Sequence, residues 1–476
     1  MNQKKIIFAL IFKFVERVIV KGLGLIIGII LARLLEPDDF GLVAIITVFM
    51  NLAQTFVQSG FSTALVQNST TEDDDYSTVF YISTMIAVVL VVVLYFSAPY
   101  IAIWYDKSIL VWPLRVMSLS LLLGAFNSVQ NARMQREMQF RTMMYCNLIA
   151  TVISGIVGIV VACLGAGLWA LVIYNLANII LVSICMYVAG NWRPKAVFNL
   201  KRAALFWGYG WKLLVSGLLC SIYSDIRALV VGIKYSTLDL AYYNKGQQFP
   251  ELISLTLDNA VQSVMLPVMS SKQDDTKQLS EVLLKSLSLS MFVISPLMLG
   301  LAAVAKTFIP LLLTEKWLPS VPLMIVFCLS SLTVPVMMTN LSAIKAMGRS
   351  DVYMKTEIIR RLAMLVVLLI TIFCFDSVMV IAIGYLISSV IDITIIVVTM
   401  KQITEIRVAK QIGAVWKPLL AGFIMSLIVY AMNLLPLAYI WRLTLQVLVG
   451  ALVYLGLSAA LRMEAFYYLI HIIKKS

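Results

Sequence analysis

Between Phe8 and Leu35 an apolar run carries Lys13, Glu16, Arg17 and Lys21. The run is long enough to cross a bilayer, which takes about 20 residues at ~1.5 Å each. At ~100° per residue, Lys13, Arg17 and Lys21 fall on one helical stripe, which Gly24 and Gly28 continue. Counting ~1.5 Å per residue from Phe8 puts Lys21 close to the bilayer midplane. A lysine there costs at least about 2.5–3.5 kcal/mol in lipid, so the stripe must look into protein or water. A basic stripe facing a hydrated cavity implies an anionic cargo. The competing reading is structural. Glu16 lies three residues from Lys13 and beside Arg17, which makes a local ion pair available, and Lys13 is able to snorkel to the nearer interface. Neither explanation covers Lys21.

The stripe belongs to a chain of 476 residues that is 61% hydrophobic and only 13% charged. Soluble domains carry about 25% charged residues, so the composition predicts an all-α polytopic membrane protein. The net charge of +13 is concentrated in short segments between apolar runs, which reads as the positive-inside bias and not as a nucleic-acid surface. The six cysteines are scattered through apolar segments without metal-ligand spacing and read as small buried hydrophobes. Met1-Asn2-Gln3-Lys4-Lys5 resembles the charged part of a signal peptide, but the charged run behind it argues against a cleaved signal.

The apolar runs separate into about fourteen predicted spans. Those following the first are Phe40–Gln67, Ser77–Pro99, Ile109–Gln130, Met143–Leu164 and Gly167–Gly190, then Leu205–Ile233, Ala241–Met269, Val282–Ala305 and Val321–Ala346. The last four are Ile358–Phe375, Val378–Met400, Ala414–Leu435 and Leu443–Leu461. Most Lys and Arg residues lie in alternate connections, such as Ala132–Arg141, Asn191–Arg202, Lys345–Arg361 and the tail ending Lys474-Lys475, which predicts cytoplasmic N and C termini. The connection Asn68–Tyr76, with Glu72, Asp73, Asp74 and Asp75, is acidic yet falls on the same side. Phe308–Pro322, with Lys316 and Trp317, reads as an outer interfacial helix. A weak repeat at an offset of about 200 residues relates Pro37-Asp38-Asp39-Phe40-Gly41 to Leu238-Asp239-Leu240-Ala241. It predicts two pseudo-symmetric six-helix lobes, 1–200 and 201–405, followed by two additional helices and a cytoplasmic tail in 406–476.

Ala32-Arg33-Leu34-Leu35-Glu36-Pro37-Asp38-Asp39-Phe40-Gly41, Met134-Gln135-Arg136-Glu137-Met138-Gln139-Phe140, Leu266-Pro267-Val268-Met269-Ser270, Glu315-Lys316-Trp317-Leu318-Pro319 and Ala346-Met347-Gly348-Arg349 occur in that order. In these stretches the chain resembles the polysaccharide-transporter branch of the multidrug/oligosaccharidyl-lipid/polysaccharide exporters, the Wzx-like flippases. Within that branch it looks most like the colanic-acid and teichuronic-acid type exporters. The resemblance implies a two-lobed helical fold with alternating access in the bacterial inner membrane. It also implies an undecaprenyl-diphosphate-linked oligosaccharide as cargo, with membrane lipids, a polysaccharide polymerase and chain-length proteins as partners.

A diphosphate cargo needs fixed cations, because Coulomb terms grow as the dielectric falls. Besides Lys13, Arg17 and Lys21, the repeat points to Lys212, Arg227 and Lys245 as lining a cationic cavity, with interfacial placement as the alternative for Lys212 and Lys245. Asn51, Gln54 and Gln58 make a polar face that would contact sugar hydroxyls or serve as helix–helix glue at about 0.6 kcal/mol per contact. Glu16, Asp225, Glu251, Asp258 and Asp392 are candidate proton or sodium sites. Asp225, Asp392 and Thr394 resemble part of the sodium site of a sister branch, the flippases for cell-wall lipid precursors, although the eleventh span has no interior Asp or Asn. No cofactor beyond a Na+ or H+ gradient is implied.

An enzyme finds little support. The single histidine is His471, in the tail, and there is no phosphate-binding glycine loop. Two other readings stay open: a multidrug exporter of the same superfamily, for whose cationic drugs the stripe has the wrong sign, and a non-transporting scaffold of a polysaccharide assembly complex.

Overall fold

The computed structural model describes residues 3–58, 60–67, 71–190, 192–272, 275–404 and 406–475. Every regular element among them is helical, because apolar chain in a bilayer must satisfy its backbone hydrogen bonds internally. The chain forms two compact units, Met1–Ala241 and Tyr242–Ser476.

The first unit contains α1 (Gln3–Leu34), α2 (Pro37–Gln58), α3 (Phe61–Gln67), α4 (Asp73–Trp104), α5 (Val111–Ser118), α6 (Ser120–Arg136), α7 (Phe140–Cys163), α8 (Leu168–Ala189) and α9 (Leu200–Lys234). α1 packs on α7, and α9 packs along α2, α3 and α4. One core gathers Phe61, Tyr76, Val129, Trp192 and Phe206, and another holds Ile27, Leu31, Leu35 and Leu171.

α10 (Thr237–Ser270) leads into the second unit, which continues with α11 (Thr276–Leu313), α12 (Ser320–Ser331), α13 (Val334–Ala346), α14 (Ser350–Cys374), α15 (Val378–Ile403), α16 (Val408–Ala431), α17 (Tyr439–Ala460) and α18 (Glu464–Lys475). The long α11 is its axis, with α12, α13, α16 and α17 against it and a core of Phe292, Met425 and Tyr454.

Among the described residues, eleven helical segments are long and apolar enough to cross a membrane, and the chain is a multi-pass helical membrane protein. The other three expected spans correspond to α1, α10 and α14. α14 opens with Asp351, Lys355, Glu357, Arg360 and Arg361, which shorten its apolar run. Eleven crossings are thus carried by length and composition, and fourteen stand as an expectation.

Besides Phe40–Gln67, which is divided between α2 and α3, two further expected spans are interrupted. Ile109–Gln130 is divided between α5 and α6, which meet at Leu119, and Val321–Ala346 between α12 and α13, which meet at Leu332 and Thr333. Pro335 follows the second break and lacks the N–H that would continue the ladder. The expected interfacial helix Phe308–Pro322 does not form. α11 runs through Pro310 to Leu313, Thr314 at φ 85° stops it, and a single 3-10 turn follows at Glu315–Trp317. Trp317 is fully buried, so its ring packs in protein and not at the lipid interface.

The first turns of α2 and α10 are each closed by a side-chain–backbone hydrogen bond. The Asp39 carboxylate accepts from the Glu36 N–H at 3.3 Å at the start of α2, and Ser236 Oγ accepts from the Asp239 N–H at 3.0 Å at the start of α10. α6 and α13 end alike: the Gln139 N–H donates to Met134 O at 2.8 Å, and the Arg349 N–H to Ile344 O at 3.3 Å. Each end passes through a left-handed residue, Met138 at φ 57° and Gly348 at φ 69°.

Candidate functional site

α1 presents Lys21 exposed, and a Cβ built on Gly24 or Gly28 would meet nothing within 4 Å. The stripe above Lys21 is therefore open, while Ile27 on the same helix is pressed against Gly155 of α7. The side chains of Lys13, Glu16 and Arg17 lie outside the described residues.

The polar face of α2 is met by two neighbouring helices. Asn51 faces the carboxylate of Asp225 on α9, placing a residue expected to touch sugar beside one expected to hold an ion. One turn on, Thr55 Oγ1 and Ser221 Oγ of α9 are 2.9 Å apart. Gln54 lies over Gly124 of α6, where an added Cβ would come within 2.5 Å of its Oε1, and Gln58 Nε2 donates to Gln54 Oε1 at 2.6 Å. Gly60, at φ 88°, then approaches Gly210 of α9 so closely that a Cβ would stand 2.1 Å from the Gly210 carbonyl oxygen. At the opposite end of α2, Thr237 Oγ1 donates to Asp38, and Asp38 also pairs with Lys107 at 3.2 Å. α2 and α9 are thus joined by small and polar residues along their length, the usual means of close helix contact in lipid.

Of the six basic candidates, Lys212 is exposed on α9 and Arg227 is buried at 8% exposure. Lys245 is buried at 7% in α10, where its Nζ donates to Gln248 Oε1 at 3.1 Å and lies 5.6 Å from the centre of the Trp317 ring. Its charge is met inside the second unit by an amide oxygen and an aromatic face.

Asp392 on α15 is met by Arg360 on α14, whose Nη2 is 3.1 Å from Asp392 Oδ2, with both side chains nearly inaccessible. Arg360 also touches Glu357, which Arg361 approaches at 3.4 Å. Asp392 Oδ1 has no hydrogen-bond partner among the described residues. Thr394 does not join it: its hydroxyl donates to Val390 O of its own helix at 2.9 Å. Glu251 is exposed on α10, and the Asp258 side chain lies outside the described residues.

The acidic connection is explained by its partners. Asp73 accepts from Arg133 at 2.9 Å, Asp74 stands 3.7 Å from Lys195, and Asp75, almost fully buried, pairs with Arg202 at 3.0 Å. Asp75 also accepts the Glu72 N–H at 2.9 Å, closing the first turn of α4. The segment between α8 and α9 is docked here: Ser77 and Thr78 accept the backbone N–H groups of Lys195 and Asn199, and Gln130 donates to the Trp192 carbonyl at 3.0 Å. The acidic run is a counter-charge for the basic segments around it.

Arg360 falls in the basic connection Lys345–Arg361, where loop charge alone does not mark it as the partner of Asp392. An isolated acid in a span such as that of Asp392 requires a cation, and Glu357 three residues before Arg360 was the available signal.

A family of proteins described as polysaccharide biosynthesis proteins matches residues 30–322. The chain is 26% identical over 423 residues to the teichuronic acid biosynthesis protein TuaB of Bacillus subtilis, covering 86% of each chain. It is 24% identical over 352 residues to the lipopolysaccharide biosynthesis protein WzxC of Escherichia coli, covering 73% of this chain and 71% of that one. Its fold is similar to that of the lipid II flippase MurJ in an inward closed conformation, with a TM-score of 0.75 at 20% identity over 96% of this chain and 98% of the other. A MATE multidrug transporter in an inward-facing conformation gives a TM-score of 0.60 at 16% identity, covering 79% and 92%.

Proposed function

The chain belongs to the polysaccharide biosynthesis protein family, and from that membership we propose that it is a flippase for lipid-linked oligosaccharide repeat units. The cargo is an undecaprenyl-diphosphate-linked sugar, carried across the bacterial inner membrane from the cytoplasmic to the outer leaflet, with both termini of the chain in the cytoplasm. A polymerase and chain-length proteins would receive the exported unit. The names of the relatives and the flippase-like fold support this reading.

The observation that carries it is Lys21: a lysine deep in the first helix, exposed, on a stripe left open at Gly24 and Gly28. A cation at that depth is costly in lipid, and a passing diphosphate would offset the cost. Arg17 and Lys13 extend the same stripe in sequence.

The test is transbilayer movement of an undecaprenyl-diphosphate oligosaccharide in proteoliposomes, wild type beside Lys21→Ala, under sodium and proton gradients. Movement by the wild type alone supports both activity and stripe. Equal movement by both keeps the flippase and makes the stripe structural. No movement, with the native sugar supplied under either gradient, overturns the proposal in favour of a scaffold.

A further inference from the structure

Within the second unit, α10, α11 and α13 enclose a cavity of about 330 Å³ to which α18 contributes Tyr468. Leu257, Val261 and Met265 line it from one face of α10, and Ser286, Ser290 and Val293 from one face of α11, at three- and four-residue spacings. The cavity is therefore elongated along the helices. If the α11 span begins at Val282, Ser286 lies about 6 Å beneath the interface and Val293 about 16 Å, beyond the midplane of a ~30 Å hydrocarbon core.

The walls are apolar apart from hydroxyls. Ser254 donates to the Pro250 carbonyl at 2.8 Å. Ser286 is only 2% exposed, and neither its Oγ nor that of Ser290 has a partner among the described residues. A helical serine ordinarily donates to the carbonyl one turn back, and an unpaired buried hydroxyl is costly. Two such donors, one turn apart at about 6 and 12 Å beneath the interface, ask for an acceptor from outside the chain. A bridging water would satisfy the two hydroxyls but leave the rest of this apolar cavity unfilled.

We infer that the cavity holds one acyl chain of a phospholipid from the leaflet beside the α10–α11 turn, with an ester carbonyl accepting from Ser286 and Ser290. The volume bounds the length of chain that can be held. A chain carbon takes up about as much room as a liquid water molecule, roughly 30 Å³, so the cavity admits on the order of ten. That is the greater part of one straight acyl chain and a small part of a branched polyprenyl chain. The depth agrees as well, because ester carbonyls lie just beneath the interface and the chain points toward the midplane. α18, which packs on α11 and sets Phe466 6.3 Å from Phe292, is amphipathic and suited to the interface where such a lipid would enter.

The full chain in nanodiscs containing phosphatidylethanolamine with a photoreactive group on its acyl chain tests this. Irradiation should place adducts on residues 257–265 and 286–293 in addition to the exposed Ile358 and Phe373. Ser290→Phe, which fills the cavity, should abolish the first set and leave the second. Excess undecaprenyl phosphate should displace neither. Adducts confined to Ile358, Phe373 and other outward residues would overturn the inference, as would an unchanged pattern in Ser290→Phe. Displacement by undecaprenyl phosphate would overturn it in favour of a polyprenyl site. Should Ser290→Phe fail to insert, Ser290→Leu is judged by the same criterion, and the wild-type pattern decides on its own.

Discussion

Arg360 on α14 donates to Asp392 on α15 across 3.1 Å, and both side chains are about 6–7% exposed. A buried pair of this kind adds little over an apolar replacement, but removing one partner leaves a charge stranded. Arg360→Met should therefore destabilise the protein by about 3–5 kcal/mol. Adding Asp392→Leu should recover most of that loss, since Glu357 retains Arg361. Thermal unfolding of the two variants in detergent measures the difference. A double variant as unstable as the single would show that the pair is not coupled.

Neighbouring aspartates of the acidic connection should behave differently. Asp75 is buried, bound to Arg202 and engaged with the first turn of α4, so Asp75→Ala should cost about 1–3 kcal/mol. Asp74 and Lys195 are both more than half exposed, and Asp74→Ala should stay within about 0.5 kcal/mol. Equal effects in an unfolding assay would contradict the docking role given to Asp75.

Met138 and Gly348 hold the same left-handed position at the ends of α6 and α13. A side chain with a Cβ is disfavoured there by roughly 1–2 kcal/mol. Met138→Gly should raise the unfolding temperature. Gly348→Ala should lower it, by backbone strain alone, because an added Cβ at Gly348 meets nothing within 4 Å. Shifts of opposite sign to these would remove the argument.

Replacement of Lys21 by Ala should slow transport of an anionic lipid-linked sugar at least tenfold, which corresponds to about 1.4 kcal/mol of barrier. Lys21→Arg should keep most of the rate, because the charge persists, and the membrane level of both variants should match wild type. Flux in proteoliposomes and immunoblots of the membrane fraction measure the two quantities. A slow Lys21→Arg variant would point to shape and away from charge.

Much of the fold was legible because a bilayer imposes a local rule: an apolar run of sufficient length becomes a helix wherever it occurs. α4, α7, α8, α15 and α17 follow from their residues in this way. The breaks near Leu119 and Leu332 do not. Each interrupts a run whose hydropathy is continuous, and where a helix bends depends on what packs beside it. The Phe308–Pro322 reading failed for a similar reason. Trp317 was given to the interface by its type, whereas its neighbours, Tyr242 and Lys245 of α10, are distant in sequence.

The candidate site divides along the same line. Sequence alone determined that Lys21 stands in a long apolar run and that α2 carries a polar face, because each depends only on residue type and helical spacing. Tertiary structure decided what those groups face: that Asn51 meets Asp225, that Asp392 meets Arg360, and that Asp73, Asp74 and Asp75 answer Arg133, Lys195 and Arg202. Helical periodicity fixes the direction in which a side chain leaves its own helix. It carries no information about which other helix arrives to meet it, and in a low-dielectric interior that partner determines whether a charge is satisfied or left open.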